Sequence, residues 1–327
     1  MPHHSNGYIS VLAPDVRRTP VRYRNRYGIE IAADLYVSTE LDLTIQRAGV
    51  VIGPPHGGVK EQGPSVYAQQ LAQRGLVALA FDPSYNGESS GEPRHLTSPE
   101  LFAEDFSAGV DHLGALPYVD RDRIGVLGIC GSGGFALSAA QVDTRIKAVV
   151  TSAMYDISGI SRDGWQSSST DDDRREALES LAEQRWRDVD SGSAALSPAF
   201  PDAYEPDALD PITAEFQEFY VTDRGHHERS IGAFTITSSV AHVNFGALRH
   251  LADVAPRPIL FITGDRAHSR YFTDDALAQA TGPTSLVVVP GARHIDLYDR
   301  TDLIPFDTIS GFFEKALGQP SSATIRP

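Results

Sequence analysis

Short apolar runs alternate with amphipathic stretches along most of the chain. Segments 21–25 and 29–37 are rich in β-branched and aromatic residues and flank Tyr27-Gly28, which predicts a β-hairpin. Further strands are predicted at 48–52, 76–81, 124–129, 146–154, 258–263 and 285–289. The spacing predicts a helix over 65–74, stopped by Gly75, and a small-residue helix over 132–142. Ser98 reads as an N-cap with Pro99 at the first helical position, and Leu101, Phe102, Phe106, Val110 and Leu113 then fall on one face. Thr273-Asp274-Asp275 is expected to cap another helix, and a last helix over about 305–317 carries Ile309, Phe312, Phe313 and Leu317 inward. The tail after Gly318 reads as frayed. Strands alternating with helices imply an α/β fold whose mostly parallel sheet has helices on both faces.

The alternation breaks between 157 and 244. Thr170 followed by Asp171, Asp172 and Asp173 suits a helix start, with Leu178, Leu181 and Trp186 on the apolar side. Residues 157–244 are read as a helical cap inserted in a core made of 1–156 and 245–327. Aromatics such as Trp165, Trp186, Phe200, Tyr204, Phe216, Phe219 and Tyr220 would give the cap an apolar inner face. The same segment could instead serve as an oligomer surface, so monomer and homodimer both stay open.

Lys+Arg 28 against Asp+Glu 43 leaves a net charge of −15, which disfavours nucleic acid phosphates and anionic membranes as partners. The N-terminus shows no apolar signal region and no run long enough to span a bilayer, so a cytoplasmic location is expected. The single cysteine, Cys130, excludes an internal disulfide framework.

That cysteine carries the candidate chemistry. A buried strand runs into Gly128-Ile129-Cys130-Gly131-Ser132 and straight into a helix. The pattern is small-x-nucleophile-x-small, with Cys130 in the nucleophile slot. Small neighbours are needed because side chains two residues away would strike the adjoining backbone. The helix start offers unpaired N–H groups and a positive dipole end, which predicts a Cys130 pKa below the ordinary value of about 8.5. Taken alone, Cys130 is equally a small buried hydrophobe at a tight turn. The glycines run G-x-x-G-x-G, the wrong order for a dinucleotide fingerprint, and no Gly-Lys-Ser/Thr follows.

His294, in Pro290-Gly291-Ala292-Arg293-His294 after the last strand, can reach over the sheet edge to the nucleophile. His56-Gly57-Gly58 leaves another strand, and the N–H of Gly57 or Gly58 paired with that of Gly131 is expected to form an oxyanion hole. Glu88 is a candidate auxiliary in activating the thiol, although it and Asp82 also fit a turn-shaping role. No metal constellation is visible, the pairs His3-His4 and His226-His227 reading as solvated, and the chemistry calls for no cofactor.

These motifs resemble the α/β-hydrolase superfamily, in particular a dienelactone-hydrolase-like branch with Cys in the turn. The sequence is similar to bacterial relatives of fungal polyketide transferases. The likeness rests on Gly57-Gly58-Val59-Lys60-Glu61-Gln62, the stretch from Phe81-Asp82 to Ser89, Ala267-His268-Ser269-Arg270-Tyr271-Phe272, and the stretch from His294 to Asp299. It implies a Cys130–His294–Asp triad. The loop after 259–263 offers Asp265, preferred on position, with Asp156 as the alternative. Asp296 and Asp299 follow His294 closely and are expected to tether its loop. The implied activity is cleavage of an ester, thioester or lactone of a small-molecule acyl substrate through an acyl-enzyme. The alternatives are an acyltransferase passing an acyl group from a carrier thioester to an alcohol, and a non-catalytic ligand-binding version of the fold.

Overall fold

A computed structural model describes residues 7–318. His3-His4 and the tail after Gly318 lie outside the described residues. The hairpin forms as β1 (Val16–Arg24) and β2 (Glu30–Ser38). It is followed by β3 (Arg47–Gly53), α1 (Gly63–Gln73), β4 (Val77–Phe81), α2 (Pro99–Ala115), β5 (Val119–Ile129), α3 (Gly131–Val142) and β6 (Val149–Ser152). After an insertion come β7 (Ile259–Gly264), α8 (Arg270–Gln279), β8 (Thr284–Val289), the single turn α9 (Asp296–Asp299) and α10 (Phe306–Leu317). The insertion carries α4 (Ile157–Asp163), α5 (Asp171–Ser191), α6 (Pro211–Tyr220) and α7 (Ser239–Asn244).

The strands form one sheet in the order β1-β2-β4-β3-β5-β6-β7-β8. Antiparallel pairing is confined to β1·β2 and β2·β4, and the rest is parallel. The inner strands are largely buried, fully so in Val77–Phe81 and over the last six residues of β5, because helices cover both faces. The edge strand β8 is partly exposed. Strand β5 lies between β3 and β6, so its carboxyl end, where Cys130 stands, opens at the middle of the sheet's upper rim.

Two helix expectations change. Thr170 does cap α5, in a reciprocal capping box with Asp173. However, Trp186 is 70% exposed and Leu178 38%, while Gln184 is buried. The inward face centres on Gln184 with Leu181 half-buried beside it, so Leu178 and Trp186 do not form a cap interior. Thr273-Asp274-Asp275 lies inside α8, whose N-cap is Ser269. The Ser269 hydroxyl makes no capping bond because it is engaged elsewhere, as described below.

The turn after β5 depends on glycine. A Cβ on Gly128 would stand 2.1 Å from the Ser132 carbonyl oxygen, a backbone atom that cannot rotate away. Gly128→Ala is therefore expected to lose about 1–3 kcal/mol of stability, read as a lowered denaturant midpoint. An unchanged midpoint would show that the turn is looser than its geometry implies.

Candidate active site

Cys130 has φ 53° and ψ −123°, a conformation that L residues rarely adopt. Its backbone is pinned on both sides. The N–H donates to Ser152 O at 2.9 Å, and the carbonyl accepts from Gly133 N at 2.8 Å and Tyr155 N at 2.9 Å. Gly131 and Gly133 admit close neighbours: added Cβ atoms would lie 2.8 Å from His56 Cβ and 2.5 Å from Met154 Cβ. Together these contacts aim the thiol away from the sheet at the start of α3.

The backbone N–H groups of Gly131 and His56 and the Tyr298 hydroxyl all act on the sulfur in favour of the thiolate. Burial outweighs them and pushes the Cys130 pKa up to about 11. The expected depression below 8.5 is thus reversed: the helix start is present, but Cys130 is 5% exposed, and Tyr155, Tyr220 and Tyr298 lie close enough to interact with its sulfur. The second backbone donor is His56, not Gly57 or Gly58. The Gly58 N–H is already given to Pro55 O at 2.8 Å. Gly57 (φ +83°) shapes the turn, and its carbonyl accepts from Ser230 Oγ at 2.7 Å.

His294 is fully buried. Its Nε2 bonds Tyr298 Oη at 2.9 Å and its Nδ1 bonds Ser269 Oγ at 2.6 Å. Burial, and then the neighbouring His268, hold its pKa well below the ordinary value. No carboxylate occupies the Nδ1 position. Asp265 is exposed and accepts the Gly291 N–H at 2.7 Å, tying the β7 and β8 loops together. Asp156 caps α4 by accepting Gly159 N–H at 2.8 Å, and burial raises its pKa. Both aspartates are drawn into backbone turns, and the structure corrects their assignment as the partner of His294.

Glu88 is also corrected as an aid to the thiol. Its carboxylate lies 3.0 Å from Lys60 Nζ, with Arg229 and Arg22 at 3.6 and 3.9 Å. Burial works against its charge, but these cations prevail and hold its pKa below the ordinary value. Glu61, Asp82 and Glu88 bring carboxylate oxygens within 4.8 Å of one another, as a metal site would. Lys60 contacts all three, so the position a cation would take is filled by an ammonium group. His227 is buried, its Nδ1 accepting the Arg229 N–H, rather than solvated.

Ser269 and Tyr298 are the site residues that sequence reasoning missed. Both were within reach of it. Ser269 follows His268 in the Ala267–Phe272 stretch, and Tyr298 stands four residues after His294, one helical turn away.

The sequence model of the alpha/beta hydrolase family matches residues 55–304. The chain belongs to that family. Protein PA2218 of Pseudomonas aeruginosa is 48% identical over 314 residues, covering 94% of this chain and 82% of that protein. The crystal structure of PA2218 aligns with TM-score 0.91 and 46% identity, over 94% of this chain and 96% of that one. YcjY of Escherichia coli is 36% identical over 297 residues, 90% of this chain and 96% of that protein. Over about a third of each chain there are fungal relatives. Polyketide transferase claH of Penicillium crustosum is 36% identical over 106 residues (32% and 34% of the two chains). Thiohydrolase aneE of Aspergillus aculeatus is 31% identical over 126 residues (38% and 37%).

In this alpha/beta hydrolase the insertion grips the histidine loop. Glu215 of α6 accepts the Ile295 N–H at 2.8 Å through one oxygen and meets His268 Nδ1 at 3.1 Å through the other. Arg224 forks onto Asp299 at 2.8 and 2.9 Å and reaches Asp296 at 3.0 Å. Glu218 binds Arg293 at 2.8 Å. The expected tethering role of Asp296 and Asp299 is therefore met through the insertion. Phe216 closes against His294, their ring centroids 5.4 Å apart.

A thiol whose pKa is raised stays protonated until the pH approaches that raised value. Iodoacetamide labelling of Cys130 should therefore be slower than that of glutathione at pH 7 and keep rising about tenfold per pH unit through pH 9. A plateau below pH 8.5, followed by mass spectrometry, would overturn this.

Proposed function

We propose that this alpha/beta hydrolase uses Cys130 as a nucleophile to cleave an ester or thioester, lactones included, through an acyl-enzyme. The observation that carries the reading is the convergence of the Gly131 and His56 N–H groups on the Cys130 sulfur at a strained strand-to-helix turn. With Nδ1–H of His294 donated to Ser269, Nε2 is free to accept a proton. The thiol proton passes through the Tyr298 hydroxyl to His294 Nε2 as sulfur bonds to the substrate carbonyl carbon. The oxyanion lies between the two backbone N–H groups. His294 then returns the proton to the leaving alcohol or thiol as its bond to carbon breaks. Water attacks the thioester by the same route in reverse, giving the carboxylic acid and the free thiol.

Ser269 takes the orienting place that a carboxylate usually holds. Being neutral, it fixes the tautomer without stabilising an imidazolium by charge. The insertion walls the acyl pocket and selects substrate through inward residues such as Phe216. A second reading, acyl transfer to an alcohol, is favoured by the closure of the thiol, because a dry site protects the acyl-enzyme from water. The names of claH and aneE span both outcomes. Adding alcohols to a thioesterase assay separates them: ester product in place of free acid favours transfer.

Cys130→Ala should abolish turnover of acyl thioesters. Ser269→Ala should lower kcat by about 10–100-fold and shift its pH profile, while Asp265→Asn and Asp156→Asn remain within a few-fold of the native enzyme. Loss of activity in Asp265→Asn or Asp156→Asn with retention in Ser269→Ala would return the orienting role to a carboxylate.

A further inference from the structure

We propose that His56 and His242 form a polar subsite beside the nucleophile that binds a hydroxyl group carried on the acyl chain of the substrate. The inference rests on the reading of Cys130 as nucleophile and narrows its substrate class to hydroxyacyl compounds. His56 supplies its backbone N–H to the sulfur, so its side chain leaves the chain next to the reacting carbonyl. The ring stands 4.3 Å from Phe234 and 5.8 Å, edge-on, from His242 (centroid distances), with Phe102 and Phe135 beyond. His242 comes from α7 of the insertion and is 3% exposed. Its Nε2 is held by Thr97 Oγ1 at 3.0 Å.

What marks the pair is what it leaves unused. His56 Nε2 and His242 Nδ1 are both buried and have no hydrogen-bond partner among the described residues. A buried polar nitrogen normally finds one, and leaving two unpaired on rings whose centroids are 5.8 Å apart is costly. The unused capacity is specific. Burial pushes the pKa of His56 down to about 3 and that of His242 to about 4, so both rings are neutral. Phe102, Phe135 and Phe234 around them offer an anion no positive charge. A carboxylate would therefore be buried without a counterion. Each neutral imidazole has one N–H and one lone pair, and a hydroxyl can both donate and accept. A plain alkyl chain would leave both nitrogens dry, and a site built to bond a hydroxyl discriminates strongly against the analogue lacking it.

The test uses N-acetylcysteamine thioesters of octanoate and of octanoate hydroxylated at carbon 3, 5 or 7. One hydroxyl position should raise kcat/KM over the plain thioester by about 100-fold, and His242→Phe should bring that ratio close to one. Calorimetry with Cys130→Ala, which keeps both histidines, should show tighter binding of the same hydroxylated thioester, independently of turnover. If native enzyme turns over neither class while Cys130→Ala still discriminates, the nucleophile reading fails and the subsite stands. If every position is treated like the plain chain in both measurements, the two nitrogens hold a buried water only and the subsite is overturned.

Discussion

The backbone at Cys130 is the constraint on which the remaining geometry hangs. A cysteine at φ 53° is held there only because both its peptide groups are bonded across to β6 and the residue that follows Met154. That bonding in turn requires the glycines around it, since a side chain at 128, 131 or 133 would occupy space taken by Ser132, His56 or Met154. The strain, of order 1–3 kcal/mol, is offset by the packed sheet beneath. The consequence is directional. The strand rises from the middle of the sheet, reverses at one residue, and leaves the sulfur facing the loops of β3 and β8, where His56 and His294 stand.

The acidic composition acquires a local meaning at the seam between core and insertion. Arg224 and Arg229 in the insertion, with Lys60 and Arg293 in the core, are each ringed by carboxylates: Asp296, Asp299 and Glu218 on one side, Glu61, Asp82 and Glu88 on the other. Such networks, buried around Lys60 and half-buried around Arg224, are geometrically demanding rather than strongly stabilising. They flank the loops that bear His294 and His56. The insertion thus contributes Glu215 and Arg224 to the position of the histidine loop, and His242 to the surroundings of His56. A change of the insertion relative to the core would alter the site's geometry even where no inserted residue touches the reacting atoms.

The parts of this arrangement that are local in sequence were legible in it. The Gly128–Ser132 turn declares itself by spacing alone, because the clash that enforces it is between residues four apart. His294 follows from its place after the last strand. The partner of His294 was not legible, because that depends on side-chain direction. Asp265 has the expected position but is taken by the Gly291 N–H, and the hydroxyl four residues later turns inward instead. The lie of α5 was misread for a similar reason. Leu178 and Trp186 are apolar at helical spacing, yet Gln184 marks the face that is inward. Burial was the other hidden quantity: a motif shows that a helix begins at Cys130, not that aromatics from distant segments seal it.

That sealing changes what the site can hold at rest. At pH 7 a thiol with its pKa near 11 costs about 5 kcal/mol to ionise, and a histidine depressed by burial does not pull the proton across. The resting arrangement is therefore a neutral chain of thiol, Tyr298 hydroxyl, imidazole and Ser269 hydroxyl, rather than a thiolate–imidazolium pair. In the proposed reaction this places the stabilising groups where they differ between ground and transition state. The Gly131 and His56 N–H groups meet little charge on a neutral thiol and much more on an oxyanion bonded next to it. Proton removal and carbon–sulfur bond formation then belong to one event, triggered by a carbonyl seated between those two donors. Without a bound acyl group the thiol has neither the charge nor the exposure to react, so the nucleophilic role proposed for Cys130 is compatible with resistance to solvent electrophiles.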